Sequence, residues 1–273
     1  MMPSNEISEK EFEFAFDHEL INFVGENNLE IYMPTAAREA QEGFDARFDI
    51  GNPVIFTSLF FQFKRGSVYG NSTSDCGDPL EGHSGIKLRY SLHKQKYPVF
   101  HAQHNILKNL SNSGNSVFYA SPSTTYRIEL LEQMRLHTIL DSSWIFDLSQ
   151  FPHLPDNDNS THRVYYPDTG TVGYFCSDSK EIQSTKIKSR ILETNVPTLN
   201  ADGGRELSEK YLNELLDKIL KSVMPEYKPM ASRKEENWDE LGTVQKITQV
   251  LSDRLPDLLW VLVYKDTANE KLV

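Results

Sequence analysis

The residues best equipped for chemistry lie between Gly43 and Lys64, a stretch that reads GFDARFDIGNPVIFTSLFFQFK. Asp45 stands in one β-like run, Gln62 and Lys64 close a second and strongly apolar run, and Gly51, Asn52 and Pro53 supply a turn between them. Side chains alternate faces along a strand, so Gln62 and Lys64 project from one face while Phe61 and Phe63 enter a core from the other. The same rule separates Asp45, Arg47 and Asp49 from Ala46, Phe48 and Ile50. Paired antiparallel across the turn, the two runs bring Asp45 toward Gln62 and Lys64. A carboxylate, an amide oxygen and an ammonium around one point can hold a divalent cation and a phosphate.

An Asp, a short β-hairpin and then (Asp/Glu)-x-Lys is the signature of the PD-(D/E)XK nuclease superfamily. Asp45 with Gln62-Phe63-Lys64 resembles its Gln-x-Lys variant, and the resemblance covers residues 8–122. It implies an α/β fold with a restriction-endonuclease-like mixed-sheet core. The implied activity is that of a metal-dependent nuclease, a hydrolase of phosphodiester bonds in nucleic acid, in a setting of prokaryotic defence or DNA repair. By the same resemblance Asp45, Gln62 and the carbonyl of Phe63 would bind Mg²⁺ (or Mn²⁺), with Glu19, Glu39 or Glu42 as a further acid. Gln62 offers a neutral oxygen where most relatives offer a carboxylate, which lowers the charge of the ligand set and hence its hold on a hard cation. Lys64 would stabilise charge developing on the phosphoryl group and orient the attacking water. Two other readings stand beside this one. The fold could be of this kind but catalytically silent, a binding or assembly module, or QFK could be an ordinary strand end in an unrelated α/β protein.

The elements that must position these residues follow from hydrophobic spacing. Residues 8–23 predict an amphipathic helix with Phe12, Phe16, Leu20 and Phe23 inward, and Ser8 with Glu11 forms a capping box. Glu19 lies off that stripe. Without the resemblance it reads as a solvated helix residue, and Glu39 and Glu42 read as surface charges. Leu29 to Met33 is a strand of the right length. After Lys64, residues 66–85 are rich in Gly, Ser, Asn and Asp and predict a long loop, either a substrate-facing lid or a surface insertion. Lys87 and Arg89 alternate with Leu88 and Tyr90 on a further strand, and Lys94 and Lys96 follow. This basic, Tyr-interleaved stretch suits a nucleic-acid backbone with stacked bases, or equally the wet face of a strand. Residues 100–110 predict a helix on which His101 and His104 are close enough to share a metal. With no third ligand at a recognisable spacing, a polar helix start is the plainer account, and His104 could instead contact a phosphate. Residues 116–120 predict a buried strand. Apart from the extra strand after the loop, the order helix, strand, hairpin, helix, strand is similar to the α-β-β-β-α-β core of the superfamily, and this order gives the motif its weight.

The chain divides into a nuclease-like core (1–122), a β-rich extension (123–180) and a mainly helical C-terminal region (181–273). In the extension a helix at 125–137 precedes strands near 144–148, 163–166 and 172–176. Asp156 and Asp158 do not begin a calcium loop, because Thr161 and Pro167 stand where glycine and glutamate are needed. In the last region residues 208–223 and 238–255 carry apolar residues at helical spacing, ready to pack on the core, on a protein partner or on a second copy in a homo-oligomer. Leu258 to Tyr264 reads as a strand apolar on both faces.

A net charge of −11 over 273 residues excludes nucleic-acid binding by the whole surface and leaves a local basic patch, a basic partner or no such binding. No apolar run approaches the roughly 18 residues of a membrane span, and no basic-then-apolar leader opens the chain, so the expected location is cytoplasmic. Cys76 and Cys176, the only cysteines, predict two free thiols in a reducing compartment. The sequence has no P-loop, GxSxG, HExxH or GxGxxG motif.

Overall fold

In a computed structural model of the chain, residues 6–24, 29–32, 54–69, 78–92, 101–155, 157–178, 180–193, 212–222, 246–247, 250 and 258–266 are described. Helix α1 (Glu9–Val24) starts as the sequence predicts: the Ser8 amide donates to Glu11 Oε2 at 2.8 Å, and the Glu11 amide donates to Ser8 Oγ at 3.1 Å. These reciprocal bonds satisfy two donors that the first turn would otherwise leave unpaired.

The chain continues through β1 (Leu29–Tyr32), β2 (Val54–Phe63), β3 (Ser67–Val68), β4 (Lys87–Ser91), α2 (Ala102–Asn112) and β5 (Ser116–Ser121). Then come α3 (Arg127–Leu136), α4 (Ile139–Ser142), β6 (Trp144–Asp147), β7 (Arg163–Pro167), β8 (Val172–Phe175), β9 (Lys180–Gln183), α5 (Ile187–Glu193) and β10 (Leu258–Asp266). One sheet has the order β1-β10-β2-β5-β6 and the other β3-β4-β7-β8-β9. The first is mixed, since β2 and β5 run parallel while its other pairs are antiparallel. The second is antiparallel throughout.

Alternation along β2 builds the layers. Leu59, Phe61 and Phe63 join Phe12, Phe16 and Leu20 of α1, with Leu130, Ile139 and Ile187, in one buried cluster. Phe60, on the opposite face, joins Leu88 and Tyr90 of β4, Val164 and Tyr166 of β7, and Leu107 and Leu110 of α2 in another. The first sheet is therefore covered by helices on one side and by α2 and the second sheet on the other. Gly173 of β8 marks how close the sheets come: a Cβ there would sit 2.7 Å from the Phe146 ring.

One expectation needs correction, and two others meet the described residues only in part. The hairpin partner expected for β2, the Asp45 run, lies outside the described residues, while at Gln62 the strand is flanked by Leu258 of β10 on one side and Tyr119 of β5 on the other. Both hydrogen-bonding edges are taken there, because β10 is a nine-residue apolar strand able to ladder along β2 from Val54 to Gln62. Next, of the loop expected over residues 66–85, residues 66–69 and 78–85 are described, and these are held at several points. Val68 pairs with Leu88, Tyr69 packs edge-on to Tyr165 at 4.8 Å, and Asp78 accepts from Lys87 Nζ at 2.5 Å. Finally, Cys176 is disulfide-bonded, so the expectation of two free thiols fails and with it the argument for a reducing compartment.

Strand pairing also crosses the sequence divisions. β4 pairs with β7, β5 with β6, and β10 from the last region lies inside the core sheet. Leu212, Leu215 and Ile219, in the helical residues 212–222, are buried in the cluster that contains Phe60, so this helix packs on its own core. No helix among the described residues is long and apolar enough to cross a membrane.

Candidate functional site

Gln62 and Lys64 do share a face at the end of β2, as their spacing predicts, but that face is interior. Gln62 is 1% and Lys64 8% exposed. Gln103 Nε2, from the first turn of α2, donates to Gln62 Oε1 at 3.0 Å. The Lys64 ammonium stands 5.7 Å from the centre of the Tyr119 ring, within range of a cation–π attraction. The backbone around it is fixed on both sides: the Lys64 amide donates to Ala120 O at 2.8 Å, and Ser121 Oγ donates to Lys64 O at 2.9 Å. Ser121 in turn shares a 2.6 Å hydrogen bond with the Tyr166 hydroxyl. Burial pushes the Tyr166, Tyr119 and Tyr90 phenols well up, so all three stay protonated around this end of the strand. Among the described residues, one amide oxygen and one ammonium thus stand beside three protonated phenols between the two sheets.

Of the other expected acids only Glu19 is described, and it lies apart from this pair. Glu19 sits on the α1 face of the sheet, 4% exposed; it accepts from the Ile139 amide at the start of α4 and lies 3.0 Å from Lys188 Nζ. A carboxylate at a helix start satisfies its unpaired amides, so Glu19 organises α4 and α5 and does not face Gln62. Burial disfavours the Lys188 ammonium, yet Asp141 and Glu19 together more than offset it and leave the group raised. Asp45, Glu39 and Glu42 lie outside the described residues.

The described cations of the expected basic patch are engaged within the protein itself. Lys87 is paired with Asp78, and Arg89 lies 5.7 Å over the Tyr69 ring. Its Lys87 partner, with backbone and Tyr69 contacts, holds Asp78 below the usual carboxylate range. Lys94 and Lys96 lie outside the described residues. His104, 1% exposed, is no phosphate contact. Its Nε2 lies 2.9 Å from Pro152 O and its Nδ1 2.9 Å from the Tyr119 hydroxyl. A carbonyl can only accept, so Nε2 carries the proton and Nδ1 accepts from Tyr119. Burial, only partly opposed by the Pro152 bond, pulls His104 down to about 4 and keeps it neutral.

A second constellation lies two residues away on the same helix turn. His101, Asp158 and His162 each offer one ligand atom, and these atoms lie within 4.8 Å of one another. The sequence pattern that could have shown it is the Asp158-x-x-x-His162 spacing, which the failed calcium loop obscured. No protein-family model, curated protein or solved structure matches the chain. The class defined by the structure is thus a mixed α/β protein of two packed sheets with helices on both faces of the first, and its functional reading rests on these two sites.

Proposed function

We propose that the chain is a metal-dependent phosphodiester hydrolase acting on nucleic acid, with its centre at the polar end of β2. The observation that carries the reading is the side-by-side projection of Gln62 and Lys64 from one face of a strand that runs parallel to β5. Flanking helices on both faces of that mixed sheet support it further.

The donors at this end suit a hard cation in type, since Gln62 Oε1 and the Phe63 carbonyl are both neutral oxygens. Asp45, with Glu39 or Glu42, would complete the set. When bound, Mg²⁺ or Mn²⁺ would polarise the phosphoryl oxygen and lower the pKa of a water. Lys64 would stabilise charge developing on the phosphate, in a setting where neighbouring phenols and rings exclude water and strengthen its field. Gln103 would orient the Gln62 oxygen.

One observation favours a second reading, a catalytically silent module of the same fold. Gln62 Oε1 already accepts from Gln103 in a buried pair, as a structural amide would. Plasmid-nicking and single-strand cleavage assays on DNA and RNA, with Mg²⁺ or Mn²⁺, separate the two. Metal-dependent cleavage lost in Lys64→Ala and Asp45→Ala is expected. Equal activity in wild type and both variants, or none in any of them, rejects the hydrolase.

A further inference from the structure

We infer that His101, Asp158 and His162 form a binding site for a zinc-class divalent ion that clamps the start of α2 to the segment entering β7. This site is independent of the phosphodiesterase reading and uses different ligand chemistry.

His101 carries the argument. It is fully buried, and among the described residues neither of its ring nitrogens has a hydrogen-bond partner. A neutral imidazole presents one donor and one acceptor and a protonated one two donors, so leaving both ring nitrogens of a buried histidine unmet is strongly disfavoured. Its ring lies edge-on to that of His162, with centres 4.5 Å apart. His162 is 3% exposed, and its Nε2 faces Asp158 Oδ2 at 3.1 Å.

The groups behind the cluster aim its atoms inward. His162 Nδ1 contacts Ser177 Oγ, which leaves Nε2 as the ligand atom. Asp158 Oδ1 accepts from the Ser160 amide at 2.8 Å, which turns Oδ2 toward the histidines. Outer contacts of this kind orient first ligands in protein metal sites. Tetrahedral zinc with bonds of about 2.0–2.1 Å sets its ligand atoms roughly 3.3 Å apart. One pair here already has that spacing, and the 4.8 Å limit on the others leaves a closure that side-chain rotation can supply. Two imidazoles and one carboxylate suit zinc and similar borderline ions; Mg²⁺ prefers a full oxygen shell. Asp158 is the partly exposed member, with 28% of its side chain open, and gives the ion its route in.

The placement assigns the ion a purpose. The same turn of α2 holds the approach to β7 at two further points: His104 donates to Pro152 O, and Asn105 exchanges bonds with both Leu154 O and Leu154 N at 2.8 and 3.0 Å. A metal at His101 would be the third point, tying the helix on the first sheet to the central strand of the second.

The test uses the untagged full-length chain, stripped with a chelator and then titrated with Zn²⁺ or Co²⁺. Expected are one zinc per chain by elemental analysis, a raised melting temperature, and visible d–d bands of tetrahedral type with Co²⁺. Ser177→Ala should weaken binding about 10–100-fold. His162→Gln and Asp158→Asn should abolish stoichiometric binding; Asp158 is partly exposed, so its variant keeps the test informative if a histidine variant fails to fold. Lys64→Ala should bind zinc like wild type, which separates failure here from failure of the hydrolase reading. No zinc retained by the wild type, or equal retention in Asp158→Asn, overturns the site.

Discussion

Gln103 Nε2 donates to Gln62 Oε1 across 3.0 Å, joining the first turn of α2 to the polar end of β2. Both residues are buried, so removing the donor costs the Gln62 oxygen a hydrogen bond made away from water. Gln103→Leu is expected to lower stability by about 1–3 kcal/mol in urea unfolding. Gln62→Glu keeps an acceptor for Gln103 and adds a negative charge to the proposed ligand set. If that set binds metal, the Mg²⁺ or Mn²⁺ concentration for half-maximal cleavage should fall; an unchanged requirement would remove Gln62 from it.

His104 makes a pH-dependent contribution whose sign is fixed by its surroundings. Its value falls from 6.5 to about 4 on folding, chiefly through burial. A depressed group contributes stability that is complete above its unfolded value and is lost as pH falls through the folded one. The wild type should therefore lose stability between pH 6.5 and about 4, and His104→Phe should flatten that limb in unfolding curves taken across the range. Tyr119→Phe, which deletes the donor to Nδ1, is expected to cost about 1 kcal/mol at pH 7. An unchanged acid limb in His104→Phe would contradict the buried, neutral assignment.

What was legible in the sequence is what depends on neighbours along the chain. The Ser8–Glu11 capping box and the Phe12–Phe16–Leu20 stripe were readable because partners three or four residues apart meet on one helix. The split of Phe61 and Phe63 from Gln62 and Lys64 followed from strand alternation alone. What the alternation could not show was that both faces are interior, because the second sheet covering Gln62 is assembled from strands on either side of β5. Nor could a turn at 51–53 reveal that β10 takes the edge of β2, since long-range pairing leaves no local mark. The α2 histidines were readable as chemistry, but their partners, Pro152, Asp158 and His162, lie some fifty residues downstream.

Cys176 is disulfide-bonded, and Cys76 is the one other cysteine in the sequence. Cys176 packs beside the cluster of Tyr69, Leu80 and Tyr165 on the outer face of the second sheet. Thiol titration of the denatured, unreduced chain should find no free thiol, and two after reduction. Reduction should lower stability by roughly 2–4 kcal/mol, the usual contribution of a native disulfide. Two titratable thiols before reduction would return the chain to the reduced state expected from its sequence.

Asp17 on α1 has the opposite sign from His104. Its carboxylate oxygens are buried and have no hydrogen-bond partner among the described residues. Burial, aided by the charge of Glu13, pushes the group up from 3.8 to about 8. A raised group contributes stability that is complete below its unfolded value and disappears as pH rises through the folded one. Between pH 3.8 and about 8 the fold should therefore weaken steadily on this account, since the unfolded chain ionises Asp17 there while the folded one keeps it protonated to avoid an unpaired charge beside the α1 core. Asp17→Asn cannot ionise, so it should flatten the stability curve over that range and exceed the wild type at pH 8 by an amount on the order of a few kcal/mol. The measurement is urea unfolding of both proteins at matched pH values, with the His104→Phe background used to remove the acid-side contribution. Parallel curves for wild type and Asp17→Asn would mean that Asp17 ionises freely in the folded chain, and that its oxygens find partners the α1 packing does not supply.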